Sequence, residues 1–423
     1  MKEYKRTIDH SWDFQGVDTK EYTHCYHNYP AMMIPQIARR LITEYKPAGA
    51  ESLLDPYCGS GTSLVEGLLA GLNVCGYDLN PLALMISKTK CRSFTNAPLG
   101  KYFIDIKDRL TRYFPDAVTP DQYKKIKNWE YWFSEETFKK LHFIQRCIDL
   151  VVDDREDRQF FYVPLAETVR ETSFTRNGEF KRYRMDKEKL ARFSPDVFGT
   201  FVNKVERNLK GLESYRAALP TPGAMGAAIT MKVNSCEMSD GFISVFEQVP
   251  YDMVVTSPPY GDSRTTVAYG EFSSWANEWF GLSDKLLDKE LMGGKKQTKE
   301  LFTSESVEPA LAEIKKTDEK RYFEVVSFLN DYYKSICNIS RIISPGGVAC
   351  YVVGNRTVKN VQIPLDYFTA EIFEQNGFKH VETIVREFPT KRMPSKNSPT
   401  NKSGEKSSTM TNEYIVILKK TLI

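Results

Sequence analysis

Ser257-Pro258-Pro259-Tyr260 follows directly on a strand-like run, Asp252 to Thr256. Two consecutive prolines continue neither a sheet nor a helix, so the chain leaves the strand with fixed φ and exposed carbonyls. An amino group presented there finds acceptors in the Ser257 hydroxyl and the Pro258 carbonyl. Such acceptors would hold its nitrogen in place while it attacks a methyl sulfonium, and Tyr260 offers a ring on which an extruded planar heterocycle can stack. The same four residues would also make a rigid turn with a buried tyrosine. A second stretch, Asp55-Pro56-Tyr57-Cys58-Gly59-Ser60-Gly61-Thr62, carries two glycines that let backbone approach a ligand closely. A dinucleotide-binding spacing needs a further glycine at 64, where this chain has Leu64, and a phosphate loop needs a Gly-Lys-Ser/Thr ending, which is missing. The loop therefore suits a nucleoside-like ligand without a pyrophosphate. Asp78, closing the next strand-like run, is placed for ribose hydroxyls. Asp78-Leu79-Asn80-Pro81 is equally the pattern of a helix cap followed by proline.

The elements needed to position these residues can be read from periodicity. Ile34, Ile37, Ala38, Leu41 and Ile42 recur at helical spacing, and the helix stops near Lys46-Pro47-Ala48-Gly49. Strand Ser52–Asp55, the glycine loop, helix Ser63–Ala70 and strand Val74–Asp78 then make one βαβ unit. From Ile86 to about Pro222 the pattern is amphipathic helix without strand alternation. Strands resume at Ile229–Val233 and Asp252–Thr256. A long helix, Tyr322–Ile343, ends at Pro345-Gly346-Gly347, and strand Val348–Val353, a helix near Pro364–Asn376, and strands His380–Phe388 and Glu413–Leu418 complete the chain. Seven strands alternating with helices, two of them in succession at the end, predict an α/β, doubly wound, mostly parallel sheet with one antiparallel strand. The division expected is 1–92, a cofactor-binding half; 93–222, a large helical insertion; and 223–423, a catalytic half. Ligands of such sheets lie at the carboxyl ends of the strands, so both motifs belong on one rim.

Composition narrows the class. At 423 residues the chain forms one large domain with insertions or two domains, and 41% hydrophobic with 27% charged residues is ordinary for a globular protein. The net charge of +3 means that any basic surface is local. The eight cysteines include no Cys-x-x-Cys pair and there are five histidines, so neither a metal site nor a disulfide framework has its spacing. No secretory signal and no apolar run of membrane-spanning length is visible, which predicts a cytoplasmic protein with reduced thiols and no membrane partner.

Taken together, Asp55–Thr62, Asp78 and Ser257–Tyr260 resemble the cofactor-binding and catalytic motifs of amino-methyltransferases, specifically the DNA (cytosine-N4) methyltransferases of bacterial and archaeal restriction–modification systems. Thr256–Arg264, Val353-Gly354-Asn355-Arg356, Lys391-Arg392-Met393-Pro394 and Thr411-Asn412-Glu413 match as well, and Tyr22–Pro35 resembles the upstream element that contacts the cofactor. The resemblance covers roughly residues 20–92 and 226–420 and fades across the helical stretch. It implies a class I methyltransferase (Rossmann-like) sheet and S-adenosyl-L-methionine as cofactor, bound by His27, Tyr29, Pro30, Asp55, Tyr57, Gly59, Gly61, Thr62, Asp78 and Asn80. It implies catalysis by Ser257, Pro258, Pro259 and Tyr260 on double-stranded DNA with a flipped target base, alongside a separate restriction endonuclease. In that family a serine opening the tetrapeptide goes with cytosine N4, and aspartate or asparagine with adenine N6. The insertion at 93–222 becomes the target-recognition candidate. Methylation of cytosine carbon 5 would need a cysteine beside a proline, and no cysteine here has that context.

Two stretches are locally basic. Arg170–Arg192 holds eight Lys/Arg against four acids, and Arg386–Lys406 six against two. Arg182, Arg184, Arg264, Lys391 and Arg392 are the expected DNA contacts, which position a duplex rather than read it; a merely solvated charged loop gives the same pattern. The same chemistry could serve adenine in DNA, an RNA base or a glutamine side chain. A catalytically inactive nucleic-acid-binding module would be expected to have lost the tetrapeptide or the glycines, and both are intact.

Overall fold

The computed structural model describes residues 2–422 apart from 116–125, 179, 222–225, 240, 243, 247–248, 263–265, 283–286, 388–395, 398–406 and 409–411. Eight strands form one sheet: β1 (Arg6–Ile8), β2 (Ser52–Asp55), β3 (Asn73–Asp78), β4 (Ala228–Lys232), β5 (Tyr251–Thr256), β6 (Ile343–Val353), β7 (Phe378–Glu387) and β8 (Asn412–Lys420). Their order is β1-β7-β8-β6-β5-β2-β3-β4. β8 is antiparallel to both neighbours and every other pairing is parallel.

The seven expected strands are present, but the sheet has eight, and β1 corrects the count. Its three residues are exposed, so they carry no apolar alternation to read. It is held instead by parallel pairing with β7 and by Arg6, whose Nε and NH2 donate to Asp366 at 2.7 and 2.9 Å. A second revision concerns Pro345-Gly346-Gly347. β6 begins at Ile343, so these residues lie inside the strand, where its pairing with β5 shifts register between Tyr251 and Met253.

Both faces of the sheet are buried, because helices cover each. Leu53, Val74, Met253, Val255, Cys350 and Val352 point to one core, while Leu54, Cys75, Val254, Ala349, Tyr351 and Val353 point to the other. The first core takes in α1 (Pro35–Tyr45), α2 (Thr62–Leu69) and α3 (Pro81–Cys91). It continues without a break into α4 (Leu99–Leu110), α5 (Glu135–Val151), α6 (Arg155–Glu171), α7 (Val197–Ala218) and α8 (Tyr269–Trp279), with α6 packed on both α3 and α8. Ser134, Asp154 and Asp196 cap α5, α6 and α7 by accepting from first-turn N–H groups. The second core is built on α9 (Glu319–Arg341) and α10 (Leu365–Gln375). Among the described residues, no helix is long and apolar enough to cross a membrane.

Asp366 is fully buried, at 0% exposure, and also accepts from Asn355 Nδ2 at 2.8 Å. Removing Arg6 would leave that carboxylate without its cation. Arg6→Ala is expected to lower unfolding free energy by about 2–3 kcal/mol, less than the roughly 3–5 kcal/mol for breaking a fully buried pair because Arg6 is partly exposed. Adding Asp366→Asn should recover part of it in urea denaturation. An unrecovered loss would assign the effect to packing.

Candidate active site

β2 and β5 are neighbours with Leu53 opposite Met253 and Leu54 opposite Val254, so Asp55 and Thr256 end side by side. Thr256 Oγ1 donates to Asp55 Oδ1 at 2.6 Å, and the same oxygen accepts from the Tyr57 N–H at 3.1 Å. This contact brings the tetrapeptide against the glycine loop across 201 positions of chain. β3, on the other side of β2, delivers Asp78, whose Oδ2 accepts from Gly59 N–H at 2.9 Å and whose Oδ1 accepts from Asn80 N–H at 2.8 Å. The capping pattern is also real: Asn80 Oδ1 accepts from Leu82 N–H at 3.1 Å and Pro81 opens α3. Asn80 Nδ2 donates to the Tyr29 hydroxyl at 2.9 Å, which fastens the upstream segment to the site.

One cavity is lined by Tyr29, Pro30, Asp55, Tyr57, Gly59, Thr62, Asp78, Asn80, Ser257 and Pro259. His27, Gly61, Pro258 and Tyr260 are outside its lining. His27 is buried edge-on to Phe272, with ring centroids 6.2 Å apart, and burial lowers its pKa to about 4. The two glycines differ. A Cβ on Gly59, where φ is +48°, would touch Tyr29 Cε1 at 3.7 Å, an ordinary van der Waals contact without a clash. One on Gly61, where φ is +79°, would lie 2.8 Å from Ser87 Cβ, so Gly61 serves the left-handed turn and the close approach of α3. Cys58 is buried against Gly76, and its thiol is pushed up by that burial. Ala31, Met32 and Met33, which fall inside the expected upstream element Tyr22–Pro35 but were not singled out individually, also line the cavity, as do Asn234, Ser235 and Tyr269, which had no sequence signal. Tyr269 stacks on Tyr29 at 6.1 Å.

Ser257 and Ala31–Met33 face a second cavity too, of about 380 Å³, lined by Phe14, Tyr260, Val352, Arg386 and Glu413 among others. Here the Tyr260 hydroxyl lies 3.1 Å from Ser257 Oγ and donates to Glu413 Oε1 at 2.9 Å. Beyond the tetrapeptide, Arg356 NH1 meets Asp262 Oδ2 at 3.3 Å and occupies the space a side chain at Gly261 would need, 1.9 Å from its ideal Cβ. Among the described residues, no group of three His, Cys, Asp or Glu is placed to hold a metal ion.

Of the expected DNA contacts, Arg264, Lys391 and Arg392 lie outside the described residues. Arg182 lies over the Trp275 ring at 4.9 Å and Arg184 over Tyr131 at 4.3 Å, so both pack on aromatics in the helical region. Arg170 and Arg386, counted in the basic stretches, are buried; Arg386 is ion-paired with Glu413.

The family described as RMKL-like, methyltransferase domain, matches residues 21–115. The chain is 39% identical to type II methyltransferase M.MvaI of Kocuria varians, over 96% of this chain and 93% of that protein. It is 21% identical to type II methyltransferase M.BsoBI of Geobacillus stearothermophilus over 85% of this chain and 79% of that one. With type II methyltransferase M.MjaII of Methanocaldococcus jannaschii it shares 29% identity over 27% of this chain and 22% of that one. The methyl donor is S-adenosylmethionine. The first cavity fits it: a glycine-lined wall and two carboxylates, the buried Asp55 and the partly buried Asp78, each raised to about 6 mainly by desolvation. Ionised, both attract a cationic ligand; protonated, they do not. Affinity for S-adenosylmethionine should therefore weaken by about tenfold as pH falls through 6, the effect of a one-unit pKa change, and a flat calorimetric profile from pH 8 to 5 would detach the carboxylates from it. Gly261→Ala should displace the tetrapeptide and cut turnover on the order of 100-fold with that affinity kept. Equal loss of both would point to general unfolding instead. The chain belongs to the type II methyltransferases, the S-adenosylmethionine-dependent DNA methyltransferases of restriction–modification systems.

Proposed function

We propose that this enzyme methylates the exocyclic N4 amino group of cytosine in double-stranded DNA, protecting host sites from a separate restriction endonuclease. The observation that carries the reading is the position of Ser257 on a wall shared by two cavities, one lined by Gly59 and the other by Tyr260. S-adenosylmethionine, when bound, supplies an electrophilic methyl group on sulfur. Tyr29, Asp55, Gly59, Asp78 and Asn80 would hold it in the first cavity. The second would receive the target base, extruded from the duplex, with Tyr260 against its ring. The amino nitrogen of cytosine is a poor nucleophile because its lone pair is delocalised into the ring. Ser257 Oγ and the Pro258 carbonyl would accept its protons, orient the remaining lone pair and disperse positive charge as it forms. Serine at this place, rather than aspartate or asparagine, is what favours cytosine N4 over adenine N6, by likeness to the family named above.

The helices between 93 and 222 are the proposed target-recognition region, packed on α3 and α8 beside the site. Lys391 and Arg392 would add phosphate contacts. Of the flanking strands, the described residues Glu387 and Asn412 are paired, next to Arg386 and Glu413 of the second cavity's lining.

Ser257→Ala is expected to reduce kcat on the order of 100-fold or more while S-adenosylmethionine binding changes little. Nucleoside mass analysis of DNA treated with the wild-type enzyme should find N4-methylcytosine. N6-methyladenine would overturn the base assignment alone, and methyl transfer confined to RNA or protein would overturn the substrate. Replacing Lys391 and Arg392 by Ala should flatten the salt dependence of DNA binding by about one unit of slope per lost contact; an unchanged slope would leave the segment merely solvated.

A further inference from the structure

Along one wall of the second cavity runs a continuous polar chain: Ser257, Tyr260, Glu413 and Arg386. Its far end is buried. Arg386 is 4% exposed, and its Nε and NH2 donate to the carbonyls of Trp12 and Asp13 at 2.8 and 3.2 Å, while NH1 pairs with Glu413 Oε2.

The proton count along this chain is determined from that end. A guanidinium has only donors and a carboxylate only acceptors, so Glu413 can accept a hydrogen bond from Tyr260 but cannot donate one. Tyr260 has a single hydroxyl proton, and at 2.9 Å it goes to Glu413 Oε1. The Tyr260 oxygen can then meet Ser257 Oγ, 3.1 Å away, only as an acceptor. Ser257 therefore directs its one proton at Tyr260 and presents lone pairs alone to a ligand.

We propose that Glu413, held by Arg386 and acting through Tyr260, sets Ser257 as an obligate hydrogen-bond acceptor, and so makes the site selective for a ring amino group over a ring carbonyl. This rests on the reading that the second cavity receives the target base. A 4-aminopyrimidine offers a donor to Ser257. A 4-oxopyrimidine, such as uracil or thymine, offers an acceptor to an acceptor, and the two oxygens are left facing each other without a proton. Glu413 touches neither methyl donor nor transferred group in this scheme; it is a positioning residue, 156 positions from Ser257 in sequence and two contacts away in space.

Glu413→Gln tests it, because the amide can turn a donor toward Tyr260 and let the hydroxyl chain reverse. With plasmid DNA from a methylation-free host as substrate, kcat should fall about 10- to 100-fold. The KM for DNA and the Kd for S-adenosylmethionine should stay within about twofold, since no uniform binding contact is lost. Tyr260→Phe cuts the chain at its middle, so adding Glu413→Gln to it should cost nothing further. Glu413→Asp, which keeps the acceptor, should restore part of the rate. Losses that multiply between Tyr260→Phe and Glu413→Gln would overturn the proposal, as would a Glu413→Gln enzyme that loses donor binding and rate together. Wild-type formation of N4-methylcytosine alongside multiplying losses would defeat the role of Glu413 alone. A wild-type enzyme that modifies no DNA base would defeat the substrate reading and this proposal with it.

Discussion

The contact on which the site depends is the hydrogen bond from Thr256 to Asp55 at the end of two adjacent parallel strands. It sets a carboxylate and a polyproline turn side by side although the helical layer separates them in sequence. Its energetics are unusual. Asp55 and Asp78 are both raised by burial to about 6, against an ordinary aspartate near 3.8. A carboxyl whose folded pKa lies above its unfolded one costs stability when ionised. That cost is complete above about pH 6 and is relieved as pH falls toward 4, the reverse of a salt-bridged surface carboxylate. The rim is thus maintained against an electrostatic strain that a cationic ligand would relieve.

Around this contact the supports are local and specific. Asn355 and Asp366 bind each other reciprocally at the start of α10, and Arg6 closes on Asp366 from the edge strand. Arg356, next in sequence, reaches back to Asp262 beneath the turn that follows the tetrapeptide. Two consecutive residues after β6 thus fasten two different pieces, one structural and one adjoining the chemistry. α6 packs on α3 and α8, and Asn80 at the head of α3 holds Tyr29 and Ser273, so the helical layer and the nucleoside loop are coupled through one asparagine.

Much of this was legible from residue order because β2, β3, β5 and β6 are buried on both faces and read as compact apolar runs between glycine or proline turns. β1 was not legible, since three exposed residues hold their place through pairing and an ion pair rather than through apolar burial. Asp78 and Asn80, which line the first cavity, could be singled out because strand ends and helix caps have sequence signatures. Glu413 was noted only within a matching motif, with no role attached, because its significance lies in which oxygen faces which hydroxyl. His27 was expected at the ligand and is instead a neutral core residue, a distinction that residue type alone cannot make. Ala31, Met32 and Met33 fell within the expected upstream element Tyr22–Pro35 but could not be singled out, because a short irregular segment has no period to betray which way each side chain faces.

Those three residues carry a consequence of their own. Ala31, Met32 and Met33 line both cavities, so the two spaces share a partition made partly of unbranched, adaptable thioether side chains. A partition of that kind can transmit occupancy. Whatever packing of Met32 and Met33 one ligand selects becomes the surface the other must fit, and the resulting change in affinity is the same factor in both directions. The strength of that coupling would then depend on two methionines, set apart from the residues that perform the transfer.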